Sequence, residues 1–185
     1  EVLERQDVMV QQFLLRSSIL ESFCASLCQA LLELPIEQDR GAESTPSAAH
    51  ILERLEATNL FLTPLDDHRQ WYRYHHLFSD LLRQRLRQKQ PDLTPTLHRR
   101  ASEWYKQNGF VDEAIEHALQ KEDFERAAEM IEECADEIWQ FGTRNKLRRW
   151  LDDFPDEVIF EKPSLCILHA GHMLFSGHYD AANQL

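Results

Sequence analysis

The chain has 185 residues, of which 43% are hydrophobic and 28% charged, and its formal net charge is −12. Residues 1–90 hold 13 acids and 10 bases, and residues 91–185 hold 19 acids and 10 bases, so neither half offers the basic surface that phosphate backbones require. No apolar run approaches the roughly 18 residues of a membrane span. We therefore expect a globular protein without nucleic acid or a membrane as its direct partner.

The first part of the chain predicts three helices in succession. An amphipathic opening helix carries Phe13 and Leu14, and a second helix is predicted over residues 25–34. The most loop-like segment follows at residues 35–46. Ser47 then has the side chain and the position of an N-cap for a third helix.

Two short apolar strands and a fourth helix follow. Residues 61–65 and 71–74 read as a hairpin joined by the polar turn of residues 66–70. From His75 to about Lys89, leucines recur at helical spacing. Three helices followed by a hairpin is the order of a winged-helix domain, which we assign to residues 1–90.

A winged helix commonly reads DNA through its third helix, but this one carries the wrong charge. The exposed positions of that helix and of the wing form an acidic-to-neutral face: His50, Glu53, Arg54, Glu56, Asp66 and Asp67. Acidic side chains there would repel phosphates. We therefore interpret the winged helix as an internal module.

Residues 91–185 predict a second region made of helices. A glycine or acid, an aromatic and a small residue one turn later recur in this order. The three occurrences are Gly109-Phe110 with Ala114, Asp123-Phe124 with Ala127 and Ala128, and Gly177-His178-Tyr179 with Ala181 and Ala182. The pattern is typical of paired helices in a solenoid, so we predict an incomplete, TPR-like repeat region.

The clearest candidate site is the histidine pair His75 and His76 at the strand-to-helix junction. The first N–H groups of a helix have no partner within it and attract anions, so a titratable donor there suits a phosphate. Histidines beside aromatics also commonly cap a helix or pack in a core. The residues alone leave both interpretations open.

The other candidate groups of residues favour a structural role over metal binding or catalysis. Cys166, His169 and His172 have a spacing that can place ligands near one metal, but their apolar setting favours a buried helix, so we predict no metal site. Four cysteines without a secretory signal indicate a reducing cytoplasm. A basic patch formed by Arg144, Lys146, Arg148 and Arg149 is expected to be solvated or paired. The sequence contains no GxxxxGK[ST], GxSxG, HExxH or GxGxxG motif, so we predict no enzymatic activity and no cofactor in this stretch alone.

Several runs resemble the MalT-type large ATP-binding regulators of the LuxR family. They are residues 8–20, 52–62, 64–67, 71–82, 97–105 and 109–118. The resemblance implies a signal-transduction ATPase of the STAND class, whose order is nucleotide-binding domain, winged helix, helical-repeat sensor and DNA-binding module. The chain begins with Glu1, and we expect it to supply only the two middle parts of a longer protein.

The resemblance also implies a role for His75. Related STAND proteins carry a Met-His-Asp motif whose histidine contacts the β-phosphate of ADP, and Tyr74-His75-His76 lies on that motif with His76 in place of the acid. The implied partners are the nucleotide-binding domain of the same chain, further copies on activation and an unknown inducer, with ATP or ADP as the full-length cofactor. The alternative is a scaffold of helical repeats that binds a protein without nucleotide.

Overall fold

The computed structural model describes residues 6–32, 47–58, 61–141 and 144–175. The elements follow in the order α1 (Val8–Ser17), α2 (Ala25–Leu32), α3 (Ala48–Ala57), β1 (Leu62–Pro64), β2 (Tyr72–Tyr74), α4 (His76–Lys89), α5 (Leu93–Gln107), α6 (Val111–Gln120), α7 (Phe124–Phe141), α8 (Arg144–Asp152), α9 (Asp156–Glu161) and α10 (Pro163–Phe175). The predicted mainly helical fold with one small hairpin is confirmed. Among the described residues, no helix is long and apolar enough to cross a membrane.

The chain divides into two compact units, residues 1–104 and residues 105–185. We call them the winged-helix unit and the helical unit. Helix α5 runs across this division, because it begins at Leu93 and ends at Gln107. The boundary that the sequence predicts after residue 90 stays a prediction.

The core of the winged-helix unit contains large apolar side chains. Helix α1 packs against α2, α3 and α4, and α2 packs against α3. Phe13, Phe23, Leu27 and Leu82 are each at most 1% exposed. Burying side chains of this size is the main favourable term in the stability of a small unit.

The hairpin is antiparallel and pairs Leu62 with Tyr74. Its strands have three residues each, shorter than the sequence predicts. Phe61 lies just before β1 in the left-handed region, with φ 53°. At the turn, the two carboxylate oxygens of Asp66 accept hydrogen bonds from the N–H groups of Gln70 (3.0 Å) and Trp71 (2.7 Å). These bonds lower the pKa of Asp66, because they favour its charged form.

Two arginines bind the C-terminal end of α2. Arg16 donates to the carbonyl of Leu32 (3.0 Å), and Arg100 donates to the carbonyl of Ala30 (3.1 Å). The last carbonyls of a helix have no partner within it, so both bonds satisfy groups that the helix leaves open. Burial, and then the nearby Arg100, lower the pKa of Arg16. Helices α1 and α5 are thereby tied to one end of α2.

Two helices of the helical unit pack against each other over small side chains. Helices α6 and α7 contact each other, and Ala114, Ala127 and Ala128 are fully buried. Gly109 adopts φ 82° before α6, a conformation that favours glycine. Two of the three predicted repeats of the aromatic and small-residue motif therefore occur at the starts of helices. The third, at residues 177–182, lies outside the described residues.

Candidate functional site

His75 is the N-cap residue of α4 and is held there by its backbone. Its N–H donates to the carbonyl of Phe61 (2.8 Å), and its own carbonyl accepts from the N–H groups of Phe78 (2.9 Å) and Ser79 (3.0 Å). The predicted helix start is confirmed to within one residue. The backbone of His75 is thus fixed from both sides, by the hairpin and by the helix.

The side chain of His75 is exposed and does not cap its helix. In the same unit, Asp7 caps α1 by accepting from the N–H of Val10 (2.9 Å), and Ser47 caps α3 by accepting from the N–H of His50 (3.3 Å). In the described part of the chain, His75 makes no such capping bond. The cap position of α4 therefore carries a ring that remains available to an outside ligand.

The surroundings of His75 suit an anion. The helix supplies no acceptor for the N–H groups of His76 and Leu77 in its first turn, and its dipole is positive at that end. The ring of His76 lies beside that of His75, with centroids 4.4 Å apart, and both side chains are exposed. Arg73, two residues earlier on β2, is exposed as well. The junction thus brings three nitrogen-bearing side chains to one end of α4.

Tyr74 fixes the strand end immediately before His75. Its hydroxyl lies 2.8 Å from the hydroxyl of Ser17, and its ring contacts Phe23 with a centroid distance of 4.6 Å. Burial raises the pKa of Tyr74 well above its ordinary value, so the phenol stays neutral. One side of the junction is therefore core, and the adjacent histidines face solvent.

The basic residues farther along α4 do not all belong to this site. Arg83, Arg85, Arg87 and Lys89 follow the histidines on the same helix. Arg83 instead donates to the carbonyl of Ser18 (2.8 Å) and lies 3.9 Å from Asp80. It holds α4 against the end of α1, which is a structural role.

Sequence reasoning did not identify the exposed apolar side chains around His75. Leu77 is 66% exposed, Leu81 is 45% exposed and Phe61 is 48% exposed. Leu77 and Leu81 share the helical spacing of the buried Leu82 and Leu86, so the pattern predicts all four as core. The apolar residues of α4 extend around the helix beyond the width of one buried face. This excess is the sequence signal that could have indicated that some of the leucines are exposed.

The other candidate residues from the sequence make hydrogen bonds or ion pairs within the protein. The thiol of Cys166 donates to the carbonyl of Ile159 (3.0 Å). Among the described residues, no group of three or more His, Cys, Asp or Glu side chains is arranged to hold a metal; the side chain of His172 lies outside them. In the predicted basic patch, Lys146 pairs with Asp112 and Arg149 with Glu116. Its Arg148 lies 3.4 Å from Asp152. The paired-face interpretation is confirmed for these three cations.

Comparison with known proteins agrees with this architecture. The family model described as the MalT winged helix domain matches residues 1–94. The chain is also 32% identical, over all of its 185 residues, to the HTH-type transcriptional regulator MalT of Klebsiella pneumoniae (strain 342). It spans only 19% of the length of that relative. The hairpin, the helix that His75 begins and the match over half of the chain all agree: the chain belongs to the MalT winged helix domain family.

Proposed function

We propose that this chain is the regulatory middle part of a transcriptional regulator, in which His75 contacts the phosphate of a bound nucleotide. The similarity to a transcriptional regulator over the whole chain supports the biological role. Because the chain spans 19% of that relative, the nucleotide-binding domain and the DNA-binding module are assigned to other parts of a longer protein. The chain itself has a regulatory function and no catalytic one.

The observation that carries the proposal is the exposed, uncapped ring of His75 at the positive end of α4. An imidazole N–H is a good donor to a phosphate oxygen, and the bond strengthens when the ring is protonated. The backbone N–H groups of His76 and Leu77 in the first turn of α4 point toward the N-terminal end of the helix, where the phosphate would bind. When bound, ADP or ATP supplies the polyphosphate anion that these donors suit.

The residues present fit one half of such a site. They offer donors to a phosphate, but the sequence has no phosphate loop to surround it. We assign the other half to a nucleotide-binding domain of the same polypeptide. In this arrangement, His75 bonds to the phosphate only when that domain lies against the winged-helix unit.

The proposed consequence is a shift between two populations of the full-length protein. The contact of His75 favours the state in which the winged-helix unit is held against the nucleotide-binding domain. An inducer bound to the helical repeats favours the open state, which permits self-association and promoter binding elsewhere. A ligand shifts such an equilibrium only by its difference in affinity for the two states, so His75 must bond in one of them and not in the other.

Substitution of His75 in the full-length protein tests the proposal. His75→Ala should lose ADP during desalting and should activate transcription without inducer, whereas His75→Gln, which keeps an N–H donor, should behave between Ala and wild type. His50→Ala is the matched control, because His50 is also an exposed histidine of the winged-helix unit but lies on α3. Unchanged ADP retention and inducer dependence in His75→Ala would rule out the contact.

A nucleotide-independent scaffold is the second candidate function. The observation that favours it lies in the helical unit, where Ile167 is 70% exposed and Leu174, seven residues later on α10, is 48% exposed. An exposed apolar stripe at this spacing is typical of a helix that binds another helix. Full-length protein that binds no ADP, together with a partner captured through Ile167 and Leu174, would favour the scaffold.

A further inference from the structure

Arg16 is a buried cation of the winged-helix unit. It lies near the end of α1 and is only 7% exposed, and arginine stays protonated even when it is buried. Its Nη1 donates to the carbonyl of Leu32 at 3.0 Å, whereas its Nε is buried without a hydrogen-bond partner in the described part of the chain. A buried charge is unfavourable unless a partner compensates it. The bond to Leu32 therefore leaves both charge and a donor of Arg16 uncompensated.

The charged group nearest to Arg16 is a second cation. Arg100 of α5 donates its Nη1 to the carbonyl of Ala30 at 3.1 Å, on the same last turn of α2. Burial, and then the charge of Arg100, lower the pKa of Arg16. Among the residues that the structure describes, no carboxylate forms an ion pair with either arginine. Two cations thus share one end of a helix without an acid.

The end of α2 balances only part of this positive charge. The C-terminal end of a helix carries about half a negative charge, whereas each guanidinium group carries a full positive one. A water molecule would accept the remaining hydrogen bond of Arg16 but would not neutralise the charge. The group that completes the pair is therefore an anion.

The free edge of Arg16 fits an oxyanion. In a guanidinium group, Nε and Nη2 point the same way and bind two oxygens of one carboxylate or phosphate. The bond to Leu32 uses Nη1, on the other side of the group, and so leaves this edge open. Arg100 is partly exposed, so a small ion can reach the pair from solvent. A phosphate dianion balances both cations, whereas one carboxylate balances one of them.

We propose that Arg16 and Arg100 form a binding site for a small oxyanion, with inorganic phosphate as the best match, at the C-terminal end of α2. The bound ion connects α1 and α5 at this end and holds the last turn of α2 in place. The site uses neither His75 nor a nucleotide, so it is independent of the proposed function.

Hydrogen exchange at the last turn of α2 tests the site in the full-length protein. ADP is present at saturating concentration, so that phosphate does not compete for a nucleotide site, and sodium chloride keeps the ionic strength constant. Phosphate should slow exchange of the amides of residues 29–32 in a saturable way, by about tenfold at about ten times its Kd. Acetate, which carries a single charge, should require a higher concentration for the same effect.

Two substitutions assign the effect to the arginines. Arg16→Lys removes the free edge but keeps the charge and a donor for the carbonyl of Leu32. Its half-saturating phosphate concentration should be about 10- to 100-fold higher, as expected for the loss of a charge-assisted hydrogen bond. Arg100→Gln, at a less buried position, should weaken phosphate binding as well. Arg87→Lys is the matched control, because Arg87 is an exposed cation on α4 of the same unit.

Three results would overturn the proposed site. Exchange that phosphate leaves unchanged in wild type and in both variants would mean that the two arginines only cap α2. Equal slowing in wild type, Arg16→Lys and Arg100→Gln would mean that phosphate binds elsewhere in the protein. Faster exchange in Arg16→Lys without phosphate, together with no phosphate effect in wild type, would mean that a carboxylate of the same polypeptide occupies the pair in place of a free ion.

Discussion

The two compact units differ in the contacts that hold their helices together. The winged-helix unit fills its core with large groups such as Phe13 and Phe23, and arginines satisfy the end of α2. The helical unit brings α6 and α7 together over alanines and joins α6 to α8 through ion pairs at its surface. The helical unit also buries large side chains, Trp150 among them, so the difference lies at the α6–α7 contact, where alanines let two helices approach closely.

The largest expected effect is removal of a core ring from the winged-helix unit. Phe13 is 1% exposed in α1, so Phe13→Ala should lower the free energy of unfolding by about 3–5 kcal/mol through lost burial and a cavity. Chemical denaturation monitored by circular dichroism measures this. Val8→Ala, in the same helix but 71% exposed, should change it by only about 0.5 kcal/mol or less. Equal losses in both variants would contradict the assigned core.

The second effect is pH dependence from a buried histidine of α5. Burial first, and then Arg83, lower the pKa of His98 from 6.5 to about 4. Between these values the unfolded chain binds a proton that the folded chain does not, so stability falls as the pH falls from 6.5 to 4 and this contribution is constant above 6.5. The loss amounts to about 3 kcal/mol.

Replacement of His98 by a residue that does not titrate isolates this contribution. The difference in unfolding free energy between wild type and His98→Gln should change by about 3 kcal/mol between pH 6.5 and pH 4, in favour of the variant at low pH. Denaturation of both proteins across this range provides the measurement. A constant difference would show that His98 is as accessible to protons in the fold as in the unfolded chain.

The smallest effect concerns the ion pairs of the helical unit. The side chains of Arg149 and Glu116 are 64% and 37% exposed, so solvent screens their attraction. A double-mutant cycle with Arg149→Ala and Glu116→Ala should give a coupling energy of at most about 1 kcal/mol, decreasing in high salt. A larger coupling that salt leaves unchanged would mean that this pair is shielded from solvent and contributes substantially to the contact of α6 with α8.

The sequence was sufficient for the order of the elements in the first 90 residues and for the position of His75. Short apolar runs around a polar turn in residues 61–74, helical spacing after His75 and the cap at Ser47 are local signals, and the structure agrees with each. The strands are shorter than predicted, although hydrogen bonds between the two segments continue beyond them, from the N–H of Leu65 to the carbonyl of Trp71 and from the N–H of His75 to the carbonyl of Phe61 (2.8 Å each).

Contacts between distant segments could not be read from local patterns. Helical periodicity predicts burial for both Leu77 and Leu82, although Leu77 is 66% exposed and Leu82 is fully buried. The bond from Arg83 to Ser18 joins residues 65 positions apart. The local sequence pattern therefore could not show that Arg83 has a structural partner. The exposed ring of His75 was equally undetermined, since a histidine at a helix start can cap the helix or leave it uncapped.

The rate of ADP dissociation from the full-length protein tests the central claim most directly. The rate should be compared for wild type, His75→Ala and His50→Ala at one temperature and salt concentration. Loss of a charge-assisted hydrogen bond costs about 1.5–3 kcal/mol, so His75→Ala should release ADP about 10- to 100-fold faster, while His50→Ala stays near wild type. Equal rates in wild type and His75→Ala would contradict the claim that His75 binds the nucleotide phosphate.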